Sequence, residues 1–248
     1  MPIPFIPSEF WTVWGYKLYF HGLFAFIGLI LGFIIILGTA RKQKIHPKIM
    51  FIEAFWVLLG AWIGSKLLYY LGPYTSGNCL GAGISNAIGR GFVFYGGLLG
   101  AIIAAYAYTT IKNYDFWKHA DFWALGAPLG LFFARIGCFL TNDAFGKITQ
   151  VPWAIQLPDG TTRHPAALYL SFFNLMLFAY LYSRKSEKRF FGHVFLQYLM
   201  IYAAGRFIIE FFREYSFLFL GLTFSQWISV IVFVPAAIIY LRKSRGTF

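Results

Sequence analysis

FFARIGCFLTNDAFGK, residues 132–147, begins as an apolar run and ends in a cluster of polar groups. Arg135 stands inside the run, and Asn142, Asp143 and Lys147 follow closely. A charge in such a run is costly in hydrocarbon, so by default it marks a functional site with a partner. Whether this stretch is a membrane span decides the fold class.

The rest of the chain answers for a span. Of 248 residues 59% are apolar and 22% aromatic, and only 12% are charged. That is a membrane-protein composition. The length suits one transmembrane domain, 1–248, with little left for a soluble one. The formal charge of +12 could suggest nucleic acid, but most basic residues lie in short turns between apolar runs. There they report topology and attraction to anionic headgroups, so the bilayer is the expected partner and nucleic acid is not. Two cysteines, Cys79 and Cys138, are too few for a disulfide framework. MPIPFIPSEF at the start has no basic region, so no cleavable signal peptide is expected and the first apolar run is a retained span.

A span needs about 20 apolar residues. Seven segments qualify: 17–39, 50–71, 93–112, 121–140, 165–183, 191–212 and 224–242. The expected fold is therefore an all-α, polytopic seven-helix bundle. Arg41, Lys42, Lys44 and Lys48 follow the first span, and Lys112 and Lys118 the third. Arg184, Lys185, Lys188 and Arg189 follow the fifth, and Arg242, Lys243 and Arg245 the seventh. The opposite side carries fewer: Lys17, Arg90, Lys147, Arg163 and Arg213. The bias predicts N-terminus out and C-terminus in. Two longer loops, 72–92 and 141–164, then form an outer-facing cap. LPDGTT (157–162) in the second signals a turn that closes a short hairpin or a cap.

Lys66, Arg135 and Arg206 remain inside expected spans. Snorkelling from a helix end is the plainer reading, best for Lys66. Glu210, four residues after Arg206, shares its helix face and can pair with it. The functional reading is a buried polar cavity with guanidinium forks aimed at phosphate. The histidines are scattered, without metal-ligand spacing, so no metal is expected. GAGISNAIG (81–89) follows no strand, and no nucleotide or other cofactor is expected. His164, before Pro165, reads as a cap, and His46, His119 and His193 carry no functional signal.

Several motifs in order resemble the prolipoprotein diacylglyceryl transferases of bacterial inner membranes. RIGCFLTNDAFG (135–146) is similar to the family's R-x-G-N-F-x-N-x-E-x-[WF]-G, and FYGGLLG (94–100) to F-H-G-G-L-x-G. RHPAALY (163–169) and GRFIIEFFRE (205–214) match R-H-P-x-x-L-Y and R-F-x-x-E-F-x-R. KLYFHGL (17–23) stands where the family has L-H-W-Y-G-L. The resemblance implies a multi-pass enzyme of the bacterial cytoplasmic membrane. It would move a diacylglyceryl group from phosphatidylglycerol to a lipobox cysteine of a lipoprotein precursor, releasing glycerol phosphate.

The resemblance also implies a site. Arg135 and Arg206 would hold phosphate. His21 would be the base and Tyr95 a hydrogen-bond donor, each standing where the family has the other residue type, so the two are expected to face one cavity. Tyr19, Cys138, Asn142, Asp143 and Glu210 would line the substrate site. Gly96, Gly97, Gly137 and Gly146 would let lipid or neighbouring helices approach closely. Cys138, Thr141 and Asp143 replace two asparagines and a glutamate of the pattern. Those departures mark a divergent member, and transfer to another acceptor or non-catalytic lipid binding are the alternatives.

Overall fold

The computed structural model describes residues 3–14, 16–71, 94–142, 146–187, 189–214 and 218–246, with backbone alone for Val13, Leu71, Phe94 and Tyr95. Each expected span contains one helix: α1 (Phe20–Lys42), α2 (Pro47–Leu71), α3 (Phe94–Ile111), α4 (Phe116–Thr141), α5 (Ala166–Ser183), α6 (His193–Glu210) and α7 (Phe224–Ser244). Five of them, α1, α2, α4, α5 and α7, are long and apolar enough to cross a bilayer. In α3 the described apolar helix is shorter, Gly96–Ile111. Helix α6 carries Arg206 and Glu210, which lower its hydropathy. The protein is an all-α, multi-pass membrane protein.

The chain divides into two compact units, Met1–Ile36 with Asp121–Phe248, and Leu37–Ala120. The second is built on α2 and α3. Gly60 and Gly64 of α2 meet Gly96 and Gly100 of α3 backbone to backbone; a Cβ on Gly64 would stand 2.9 Å from the Gly100 Cα. Without a hydrophobic drive between helices in lipid, such close approach supplies the packing energy. Gly96 and Gly97 therefore serve helix contact: a Cβ on Gly97 would come 3.3 Å from the Ala61 carbonyl oxygen. Lys66 is buried in this unit, not snorkelling. Glu53 is fully buried and lies 2.6 Å from His119 Nδ1, on which Tyr114 stacks.

In the first unit, Gly28 and Gly32 of α1 lie against Gly130 and Gly126 of α4. Leu125, Leu177, Leu181, Val194 and Tyr198 form a buried core joining α4, α5 and α6. Helix α6 has no cap from its own N-cap residue, Gly192. Asp121 of α4 supplies one, accepting the Gly192 and Phe195 amides at 3.1 and 2.9 Å. A carboxylate on such orphan amides stabilises a helix by about 1 kcal/mol. Helix α7 opens with a reciprocal capping box between Thr223 and Gln226.

The expected hairpin forms from β4 (Ile155–Gln156) and β5 (Thr162–Arg163). Gly160, at φ +82°, makes the turn. The Asp159 carboxylate accepts from the Thr161 hydroxyl and amide, which holds its pKa below the usual carboxylate value. Of the expected cap, 146–164 is described, while 72–92 and 143–145 lie outside the described residues. The N-terminal segment was not expected to form strands. It contributes β1 (Ile3–Pro4), parallel to β4, and a hairpin of β2 (Phe10–Val13) and β3 (Tyr16–Tyr19). The first span accordingly starts as helix at Phe20, not at residue 17. Apolar side chains on both faces of this hairpin leave no alternation to separate it from the span.

Candidate active site

Helix α4 ends in the signature-like stretch, and its last turns carry the first half of the site. The Cys138 thiol is buried, with Sγ 3.8 Å from Arg135 Nη1 and 3.7 Å from His21 Nδ1. His21 sits in the first turn of α1. Gly137 permits that approach, since a Cβ there would come 3.1 Å from both the His21 Cα and the Phe24 Cβ. The Thr141 hydroxyl donates to the Gly137 carbonyl at 3.1 Å, closing the last turn. Asn142 follows at φ +56°, a left-handed position that asparagine tolerates, and its amide donates to the Phe139 carbonyl. The thiol is thus in contact with both the imidazole and the guanidinium.

The second half comes from α6 and its exit. Arg206 and Glu210 are buried and pair at 2.7 Å across one turn. Arg206 Nη2 also donates to the Ser225 hydroxyl at 3.3 Å. The same Glu210 oxygen lies 3.2 Å from Arg213 Nη1, while its other oxygen accepts from the Thr223 hydroxyl at 3.4 Å. Burial pulls the Arg213 pKa below its ordinary value, helped by the positive charges of Arg206 and Arg135 and opposed by Glu210. Arg206 and Arg213 therefore share the Glu210 carboxylate, and the charge of Arg135 is felt at Arg213. Breaking such a buried pair by removing one partner costs about 3–5 kcal/mol, and the excess positive charge suits an anionic ligand.

Gly146 joins the halves. It bridges to Arg213, the next amide, that of Lys147, donates to the Phe212 carbonyl at 2.9 Å, and a Cβ on Gly146 would run into the His164 carbonyl. Arg163 donates to the Gly146 carbonyl at 3.2 Å and pairs with Glu214. His164 does more than cap: its Nδ1 lies 3.0 Å from the Tyr169 hydroxyl, which accepts from Trp153 Nε1 at 2.8 Å. Burial pushes the His164 imidazole below its ordinary pKa. Trp153 and Tyr169 also line an apolar cleft of about 640 Å³ with Ile3, Phe5, Phe139 and Phe172.

The structure thus brings together His21, Arg135, Gly137 and Cys138, and separately Arg206 and Glu210 with Arg213. Tyr19 ends β3, exposed, its ring edge-on to Phe10. The side chain of Tyr95 and all of Asp143 lie outside the described residues. Gly96 and Gly97 belong to the α2–α3 contact. Sequence reasoning missed Arg213 and Arg163, which it counted only as loop charges. Their signal was their place inside the two motifs GRFIIEFFRE and RHPAALY. Among the described residues no group of three or more His, Cys, Asp or Glu could hold a metal ion.

The prolipoprotein diacylglyceryl transferase family model matches residues 8–242. The phosphatidylglycerol–prolipoprotein diacylglyceryl transferase of Campylobacter jejuni (strain RM1221) is 30% identical, over 93% of this chain and 91% of its own length. Proteins of the same name from Wolinella succinogenes and Clostridioides difficile (strain 630) are 29% and 32% identical. The alignments cover 98% and 94% of this chain, and 96% and 94% of those relatives.

Proposed function

This chain belongs to the prolipoprotein diacylglyceryl transferase family, and from that premise we propose that it moves the diacylglyceryl group of phosphatidylglycerol to the thiol of a lipobox cysteine in a lipoprotein precursor. The reaction takes place at the outer leaflet of a bacterial cytoplasmic membrane, with the N-terminus outside, an orientation supported by the basic turns after alternate spans.

The observation that carries the site assignment is the sharing of Glu210 by Arg206 and Arg213, with the positive charge of Arg135 felt at Arg213 and the Cys138 thiol between Arg135 and His21. The acceptor thiol must become thiolate, because the thiolate is the nucleophile. His21 takes that proton; an imidazole titrates near neutrality and suits a base. The thiolate sulfur attacks the glycerol carbon that carries the phosphate ester. The S–C bond forms as the C–O bond breaks, and the electron pair leaves on the phosphate oxygen. The arginines hold that developing charge, and glycerol phosphate departs. Cys138, at the position of a family asparagine, touches both the base and the phosphate-binding cation. An apolar groove of about 330 Å³ between α6 and α7, bordered by Ala203, Phe207 and Val230, suits an acyl chain of the lipid whose phosphate Arg206 holds.

The test is purified protein mixed with labelled phosphatidylglycerol and a lipobox peptide. Lipidated peptide and glycerol phosphate should appear in equal amounts. Glycerol phosphate without lipidated peptide would point to another acceptor, and neither product would leave lipid binding alone.

A further inference from the structure

We propose that the β2–β3 hairpin is a membrane anchor that lies in the headgroup layer of the leaflet where α1 begins, its partner being an anionic phospholipid surface. The hairpin is tied to the span. The Phe20 amide, at the first residue of α1, donates to the Glu9 carbonyl at 3.0 Å. Helix α1 has 23 residues, about 35 Å at 1.5 Å each, and so reaches past both edges of a ~30 Å hydrocarbon core. The hairpin at its end belongs at the interface.

Its composition fits that place. Trp14 is 96% exposed, Tyr16 82%, Trp11 64% and Tyr19 56%. The register sets Phe10 opposite Tyr19 and Trp11 opposite Leu18, so aromatic or large apolar side chains occupy both faces. A two-stranded hairpin is marginal on its own in water, and one with aromatic or large apolar side chains on both faces gains from an apolar partner. Tryptophan and tyrosine concentrate at the headgroup level, where an apolar ring and a polar tip are both satisfied. The Lys17 ammonium stands over the Phe10 ring at 4.5 Å and supplies the positive charge that anionic headgroups attract.

The turn gives the independent sign. Trp14 has φ +50°, a left-handed conformation costly for a bulky residue and preferred there by Asn or Gly. A tryptophan kept at that tip, almost fully exposed, is placed for what its ring meets outside the chain.

The full chain, reconstituted into vesicles of phosphatidylglycerol and phosphatidylethanolamine, tests this. Trp14→Asn suits the left-handed turn, and the difference between wild type and variant isolates Trp14 from the other tryptophans. The expected result is a blue-shifted Trp14 emission, quenched by lipids brominated near the headgroup and shielded from aqueous iodide. Quenching by iodide alone would overturn the proposal. So would shielding from both quenchers, which would mean packing against protein, or loss of bromolipid quenching on adding a lipobox peptide. Trp11→Phe on the same hairpin gives a second reading should Trp14→Asn fail to fold.

Discussion

In the unit built on α2 and α3, the buried Glu53 carboxylate lies 2.6 Å from His119, and α2 meets α3 through glycine-to-glycine backbone contacts. Around α6, the buried Glu210 carboxylate is shared by Arg206 and Arg213, and Arg135 adds a further positive charge nearby. Both regions bury acid against base. In the first, Glu53 of α2 meets His119 of α4 and holds helices together. In the second, among the described residues, Glu210 faces two guanidiniums with a third positive charge nearby, an arrangement that favours an anion. A carboxylate–imidazole contact between helices reads as structure, whereas two guanidiniums on one carboxylate with a third cation nearby read as a site.

Removing the proton acceptor should have the largest effect. His21→Ala is expected to slow transfer to a lipobox peptide by about 10²–10⁴-fold, and Tyr95→Phe by far less, since a lost hydrogen bond is worth about 1 kcal/mol. The exchange His21→Tyr with Tyr95→His restores the family arrangement and should retain transfer. Equal rates for His21→Ala and wild type would remove His21 from the mechanism. Next comes the cation: Arg135→Ala should lower the transfer rate about 10²–10³-fold, the range seen when one charge-stabilising donor is lost. Arg135→Lys should fall between, because it keeps the charge and loses the fork.

The region around Glu53 should respond in the opposite way. Glu53→Gln is expected to lower unfolding stability by about 3–5 kcal/mol while the rate per folded molecule stays at the wild-type value. A variant as stable as wild type but slow in transfer would erase the distinction between the two regions. The smallest effect concerns His164. Its folded pKa is lowered by burial, so the unfolded chain takes up the proton first. Stability contributed by the neutral form should therefore be lost as pH falls through about 6.5, by at most about 1.4 kcal/mol per pH unit. Melting temperatures on either side of that pH should diverge less in His164→Gln than in wild type; an equal drop in both would contradict this assignment.

Much of the architecture was legible in the sequence, for a plain reason. Runs of about 20 apolar residues have few alternatives in a chain this apolar, and all seven gave helices. Arg206 with Glu210 was legible from i, i+4 spacing, and the LPDGTT hairpin from its turn residues. The N-terminal strands were not, because FWTV and YKLY set large aromatic or apolar side chains on both faces and run straight into the span. Arg213 escaped because it lies just past a helix end, where a basic residue ordinarily counts as topology. Its inward role depends on Gly146 pairing with it from a distant loop, a contact that local periodicity does not encode. The nearness of Cys138 to His21 likewise depends on Gly137 letting α1 close in.

If Arg135, Arg206 and Arg213 hold the phosphate that leaves, the free product should bind to them as well. Equilibrium binding of glycerol phosphate to the purified protein measures this without requiring turnover. Arg135→Ala and Arg206→Gln should each weaken binding about tenfold or more, as expected for losing a charge-assisted hydrogen bond worth about 1.5–3 kcal/mol, and Glu53→Gln should leave it unchanged. Wild-type affinity in both arginine variants would contradict the account.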